Sequence, residues 1–103
     1  MRYEWDNHKD WVNRLKHAGL SFERALLVFD DPRCLFELDR LDETGEQRWQ
    51  AIGTVPFGRG IVIVLFVVHV YREDRYGEEI VRLISARRAD KREVGRYQKQ
   101  AVD

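Results

Sequence analysis

Residues 61–68 read Ile-Val-Ile-Val-Leu-Phe-Val-Val, apolar at every position, and no other stretch restricts the fold as much. A strand turns alternate side chains to opposite faces, so a strand apolar at both sets of positions must be covered on both sides. Ile61–Arg72 is therefore expected to be a central strand between helices and a neighbouring layer. The run is far too short to span a bilayer, which takes roughly 20 residues. The opening Met1-Arg2-Tyr3-Glu4-Trp5-Asp6 lacks the apolar stretch of a secretory signal. No membrane partner and a cytoplasmic location are expected. The 103 residues suffice for a single core, so one domain over 1–103 is expected. Cys34 is the only cysteine. It excludes an internal disulfide and a Cys-based zinc site, and its place in a strand-like run suggests a small core residue.

Around the central strand the pattern reads as helices, then an antiparallel meander, then a helix, an α+β arrangement. Asp6 can cap a helix over residues 7–18 with Trp11, Val12, Leu15 and Ala18 as its apolar positions and Gly19 as its terminator. Ser21 can cap a shorter second helix with Ala25, Leu26, Val28 and Phe29 on its buried side, ending at Asp31-Pro32. Cys34–Leu38 reads as a strand, 39–45 as a charged turn, and 46–54 as the next strand. Pro56-Phe57-Gly58-Arg59-Gly60 forms the turn into the central strand, and residues 72–77 form a hairpin into a strand over Glu79–Ser85. Asp90 and Glu93 have the spacing of a capping box, with Val94, Tyr97 and Ala101 marking the buried side of a final helix. Tyr3–Trp5 adds an edge strand.

Charge is unevenly spread. The chain carries 18 basic and 18 acidic side chains, yet residues 87–99 hold six Lys/Arg against Asp90 and Glu93. Residues 1–50 are net acidic and residues 51–103 net basic, with 8 against 11 and 10 against 7 basic to acidic groups. Such polarity points to one surface for an anion and another for a cation-rich protein. Arg82, sharing a strand face with Ile80 and Ile84, is a charge among apolar neighbours. It either contacts an anion or bridges an acid such as Glu73 or Glu79. His8 and His69 lack a paired ligand pattern, so no metal and no cofactor are expected.

Several segments together resemble one family. They are Glu4-Trp5-Asp6, Lys9, Asn13, Lys16-His17, Ser21-Phe22-Glu23 with Ala25, Val28-Phe29-Asp30-Asp31-Pro32, Gly45-Glu46-Gln47-Arg48, and Ile84-Ser85-Ala86-Arg87-Arg88-Ala89 followed by Arg92-Glu93 and Tyr97. In this order and spacing they resemble the BrnT toxins over nearly the whole chain. The resemblance implies a RelE-like fold and a ribonuclease of a type II toxin–antitoxin system that acts on RNA and stops translation. It also implies a BrnA-like DNA-binding antitoxin, with operator DNA reached only through the complex. One departure is the reading Lys16-His17-Ala18-Gly19, a residue longer than the family's Lys-His-Gly, which bears on where His17 points.

Metal-free cleavage of RNA needs a base for the 2′-hydroxyl, cations for the charge gathering on phosphorus oxygens, and a donor to the leaving 5′-oxygen. Arginine suits the cationic task because its fork grips two phosphate oxygens. Arg82, Arg87 and Arg88 are the candidates, and strand alternation followed by a turn would converge two of them on one phosphate. Arg48 would add a further contact, with Lys16, Lys91 and Arg92 binding flanking RNA. For proton transfer the candidates are His17, with an ordinary pKa of about 6.5, Glu46 and Tyr97. The plain readings stand beside these. Lys16 and His17 suit a helix C-terminus, Tyr97 suits a core, and the charge run suits a solvated helix entrance. Two other functions fit the same surface: an RNA- or phosphate-binding module without turnover, or a subunit docking an acidic partner.

Overall fold

The computed structural model describes residues 1–100. The chain runs β1 (Arg2–Glu4), α1 (Asn7–Lys16), α2 (Phe22–Ala25), a 3₁₀ turn (Leu26–Asp30), β2 (Leu35–Leu41), β3 (Gln47–Pro56), β4 (Val62–Glu73), β5 (Glu79–Arg88) and α3 (Lys91–Lys99). The strands form one sheet in the order β1-β5-β4-β3-β2. The apolar β4 is at its centre, as its two-faced pattern requires. The fold is α+β, but the sheet is mixed: β2 to β5 pair antiparallel, whereas β1 joins β5 in parallel. That first strand precedes the helices, and aromatic contacts anchor it. Tyr3 meets Phe29 at 5.3 Å, and Trp5 meets Phe22 edge-on at 6.3 Å.

The core lies between one sheet face and the two N-terminal helical segments. Phe22, Ala25 and Val28 pack on Ala51, Val55, Leu65, Val67, Val81, Leu83 and Ala86, all buried. Gly53 lets the 3₁₀ turn come down onto β3, since a Cβ there would stand 3.3 Å from the Val28 carbonyl oxygen and 3.2 Å from Cys34 Sγ. Cys34 is half-buried, and burial pushes its thiol up to about 12, so it stays protonated. On the opposite face α3 crosses β3. Its capping box is complete: Asp90 accepts from Glu93 N–H at 2.8 Å, and the Glu93 carboxylate accepts from Asp90 N–H at 2.9 Å. Ala101, assigned to this helix from its spacing, lies outside the described residues. No helix among the described residues is long and apolar enough to cross a membrane.

Three local departures from the expected pattern matter for the site. First, α1 stops at Lys16, because Ala18 and Gly19 both adopt left-handed backbone (φ 52° and 84°). Its apolar residues also point the other way: Trp11 and Leu15 are 52% and 67% exposed, while Asn13 is buried. Asn13 donates to the Leu20 carbonyl at 3.2 Å and accepts from Ala86 N–H at 3.2 Å, so hydrogen bonds rather than an apolar stripe hold the helix to β5. Second, β2 begins one residue later than Cys34 and runs on to Leu41, because Asp42 makes the reversal, accepting from Thr44 N–H at 2.8 Å and Glu46 N–H at 3.0 Å. Third, β5 continues through Arg88, which pairs with Leu65, and its register slips between the pairs Val68–Ser85 and His69–Leu83. Ile84 is the unpaired residue of that bulge.

Candidate active site

The bulge decides which arginines meet. Without it, Arg82 and Arg88 would share a face of β5. The extra residue at Ile84 reverses the alternation, and adjacent Arg87 and Arg88 point to opposite sides in any case. Arg88 emerges on the side of α1 and α2. Arg87 emerges on the side of α3, where it forks onto Glu93 at 2.8 and 2.9 Å and lies 4.3 Å from the Phe66 ring centroid. Arg82 bonds Glu4 at 2.8 Å on the neighbouring strand. It is five residues from Arg87, roughly 17 Å of strand. No two of the three arginines converge on one phosphate, contrary to what strand alternation followed by a turn suggests.

A different set of groups does come together. His17, Leu20, Arg24, Phe57, Ile63 and Arg88 line a cleft of about 120 Å³ between the end of α1, the start of α2 and the β3–β4 turn. A cleft of this size, open on one side, has room for a phosphate group. Arg88 is exposed and has no carboxylate within ion-pair distance among the described residues. Arg24 donates to the Pro56 carbonyl at 2.9 Å and lies over the Phe57 ring. Asn13 sets the spacing of this cleft, since it fixes α1 one turn before His17 to β5 two residues before Arg88. Ala18 and Gly19 both take left-handed conformations after the helix, and His17 lines the cleft.

The remaining candidates are placed elsewhere. Glu46 takes both a 3.1 Å and a 3.0 Å bond from Arg72. The Arg72 guanidinium holds its carboxyl below the usual range. The pair sits at the far end of β4 from Leu65, the residue opposite Arg88. Arg48 faces Asp42 at 3.8 Å in the same hairpin. Lys16 closes α1, and Lys91 and Arg92 open α3, all exposed. Tyr97 is buried and donates to Asp31 Oδ2 at 2.6 Å. Burial and then that hydrogen bond raise its phenol pKa. Burial works to raise Asp31 as well, but bonds from Tyr97, Thr54 and Arg33 together hold its carboxyl below the ordinary range. Tyr97→Phe is accordingly expected to lower stability by about 1.5–3 kcal/mol, the cost of a lost hydrogen bond to a charged group. It should leave turnover unchanged, which urea unfolding and a cleavage assay on the same preparation will check.

Arg24 had no local signal in the sequence, because its contact at Pro56 is 32 residues away. Asn13 had one: Asp10, Asn13 and His17 fall at i, i+3 and i+7, a polar stripe on the inward face of α1. Asp10 Oδ1 uses that position to accept from Phe22 N–H at 2.8 Å, tying α2 to α1.

Among curated proteins the comparison found no matching relative. A family model described as the ribonuclease toxin BrnT of type II toxin–antitoxin systems matches residues 5–93, a span that takes in every residue of the cleft. The chain therefore belongs to the BrnT family of ribonuclease toxins.

Proposed function

We propose that this toxin is a metal-independent endoribonuclease whose chemistry takes place in the cleft of His17, Arg24 and Arg88. The observation that carries the reading is Arg88: it is the one arginine of the Arg82, Arg87 and Arg88 set without an acidic partner among the described residues, and it shares its cleft with an imidazole and a second guanidinium. The RNA 2′-oxygen attacks the adjacent phosphorus, its proton passing to His17. The charge gathering on the non-bridging oxygens is met by the Arg88 fork and by Arg24. The bond from phosphorus to the 5′-oxygen breaks, and that oxygen takes a proton from water while His17 gives up to water the one it accepted, so that protons balance. The products are a 2′,3′-cyclic phosphate and a 5′-hydroxyl end. Lys16, Lys91 and Arg92 supply charge for flanking phosphates, a term that weakens with salt. The helices-on-sheet arrangement fits a RelE-like fold, and cleavage of RNA would arrest growth by stopping translation. A BrnA-like DNA-binding antitoxin neutralises the toxin and carries it to operator DNA.

Incubating the antitoxin-free protein with a defined RNA in EDTA, followed by a denaturing gel and analysis of the ends, tests the chemistry. Cleavage with cyclic phosphate ends is the expected result. RNA that binds but is never cut in EDTA, with or without ribosomes, would replace the enzyme with a binding module.

A further inference from the structure

The turn between β3 and β4 exposes more apolar surface than a solvated hairpin tip requires. Phe57, Ile61 and Val62 are 56%, 57% and 61% exposed. The turn is nonetheless held in one shape. Gly58, Arg59 and Gly60 take three successive left-handed conformations (φ 84°, 53° and 75°). Phe57 N–H bonds the Ile61 carbonyl at 2.8 Å, and Ile61 N–H bonds the Gly58 carbonyl at 2.9 Å. Phe57 therefore stands at a fixed place on the rim of the cleft that holds His17 and Arg88. Its ring is braced from one side only: the Arg24 guanidinium carbon lies over it at 5.7 Å from the centroid and is itself tied to the Pro56 carbonyl at 2.9 Å. The exposed side of the ring has no aromatic or cationic partner among the described residues.

Resting on the reading of the cleft as the RNA-cleaving site, we propose that Phe57 is the stacking wall of a nucleobase subsite that takes an unpaired base of single-stranded RNA. A phosphate-sized cationic cleft beside a braced aromatic ring divides a nucleotide in two, with the phosphate at Arg88 and the base on Phe57. Proteins that grip single-stranded RNA combine these two elements, since every base offers a π-face and a base within a duplex is already stacked. Arg24 serves both halves, facing the cleft with its charge and stiffening the ring from behind. Arg59, at the tip of the turn, adds a cation where the strand would pass.

The test separates base from backbone. A short 2′-O-methyl RNA, in which the attacking oxygen is blocked, and a fully abasic strand of the same length and charge are titrated by fluorescence anisotropy at one salt concentration. Wild type, Phe57→Ala and Arg88→Ala are compared. Wild type is expected to bind the RNA about tenfold more tightly than the abasic strand. Phe57→Ala should erase that preference without weakening the abasic strand, and Arg88→Ala should weaken both. If Phe57→Ala binds the RNA as wild type does, or weakens both strands alike, the base subsite is overturned. The exposed ring would then serve Arg24 or a protein contact, while the phosphate cleft stands on the Arg88 result. Wild type binding neither strand would overturn both readings together.

Discussion

Arg88→Ala should cut RNA about 100- to 1,000-fold more slowly than wild type, the loss that follows removal of one preorganised donor to a developing oxyanion. The geometry makes this a clean change. Arg88 is exposed at the end of β5 and makes no ion pair and no side-chain hydrogen bond among the described residues. Its removal is thus expected to move stability by less than about 0.5 kcal/mol, the usual range for a surface substitution. Arg88→Lys should recover part of the rate, because the charge returns but the two-pronged grip does not. The adjacent arginine behaves differently. Arg87 holds Glu93, which is only 7% exposed and completes the α3 capping box. Arg87→Ala leaves a nearly buried carboxylate without its partner, so its loss should appear in unfolding before it appears in turnover. Changing both arginines at once would mix the two effects. Kinetics of the single variants, each with a melting curve, separate them.

The second large effect is on stability with pH. His69 is fully buried, neither ring nitrogen has a hydrogen-bond partner among the described residues, and its ring meets Phe29, Tyr71 and Phe36 at 5.2, 5.1 and 6.2 Å. Burial lowers its pKa to about 4 from 6.5, outweighing an opposing pull from the nearby Val67 backbone, whose geometry falls short of a hydrogen bond. The unfolded chain therefore takes up a proton near pH 6.5 that the folded chain refuses until about pH 4, and stability is lost as pH falls through that window. A shift of this size amounts to about 3 kcal/mol between pH 7 and pH 4, with about 2 kcal/mol of it gone by pH 5. Carboxylates with lowered pKa values, such as Asp31 and Glu46, add their own loss only below about pH 4.5. Urea unfolding at pH 7, 6 and 5 isolates the histidine. His69→Leu should flatten the profile in that range and be neutral or stabilising at pH 7, because it removes two unpaired polar atoms from an apolar site. A variant as pH-sensitive as wild type would show that His69 is not the group responsible.

Much of the fold was legible because the relevant forces are local. The run 61–68 declared a central strand, Asp6 and Ser21 announced the helix starts, and Asp90 with Glu93 announced the third; each is seen in place. What was not legible is non-local. The parallel pairing of β1 rests on aromatic contacts to Phe22 and Phe29, and three residues carry no pattern of their own. The inward turn of Asn13, with Trp11 and Leu15 left outside, depends on carbonyl and amide groups supplied by Leu20 and Ala86. The bulge at Ile84 has no glycine or other marker, yet it sends Arg82 and Arg88 to opposite faces and so decides which cations share a cleft. For the same reason Arg24, far from Arg88 in the chain, went unnoticed.

The proposed site of RNA cleavage is the cleft of His17, Arg24 and Arg88 rather than the arginines of β5 as a group. Single-turnover cleavage of one RNA in EDTA by Arg88→Ala and by Arg82→Ala, each with a melting curve matching wild type, tests it most directly. The expected result is a loss of at least about 100-fold for Arg88→Ala and less than about threefold for Arg82→Ala, whose Glu4 pairing is structural. A folded Arg88→Ala protein that cuts at the wild-type rate, beside a folded Arg82→Ala protein that does not cut, would contradict it.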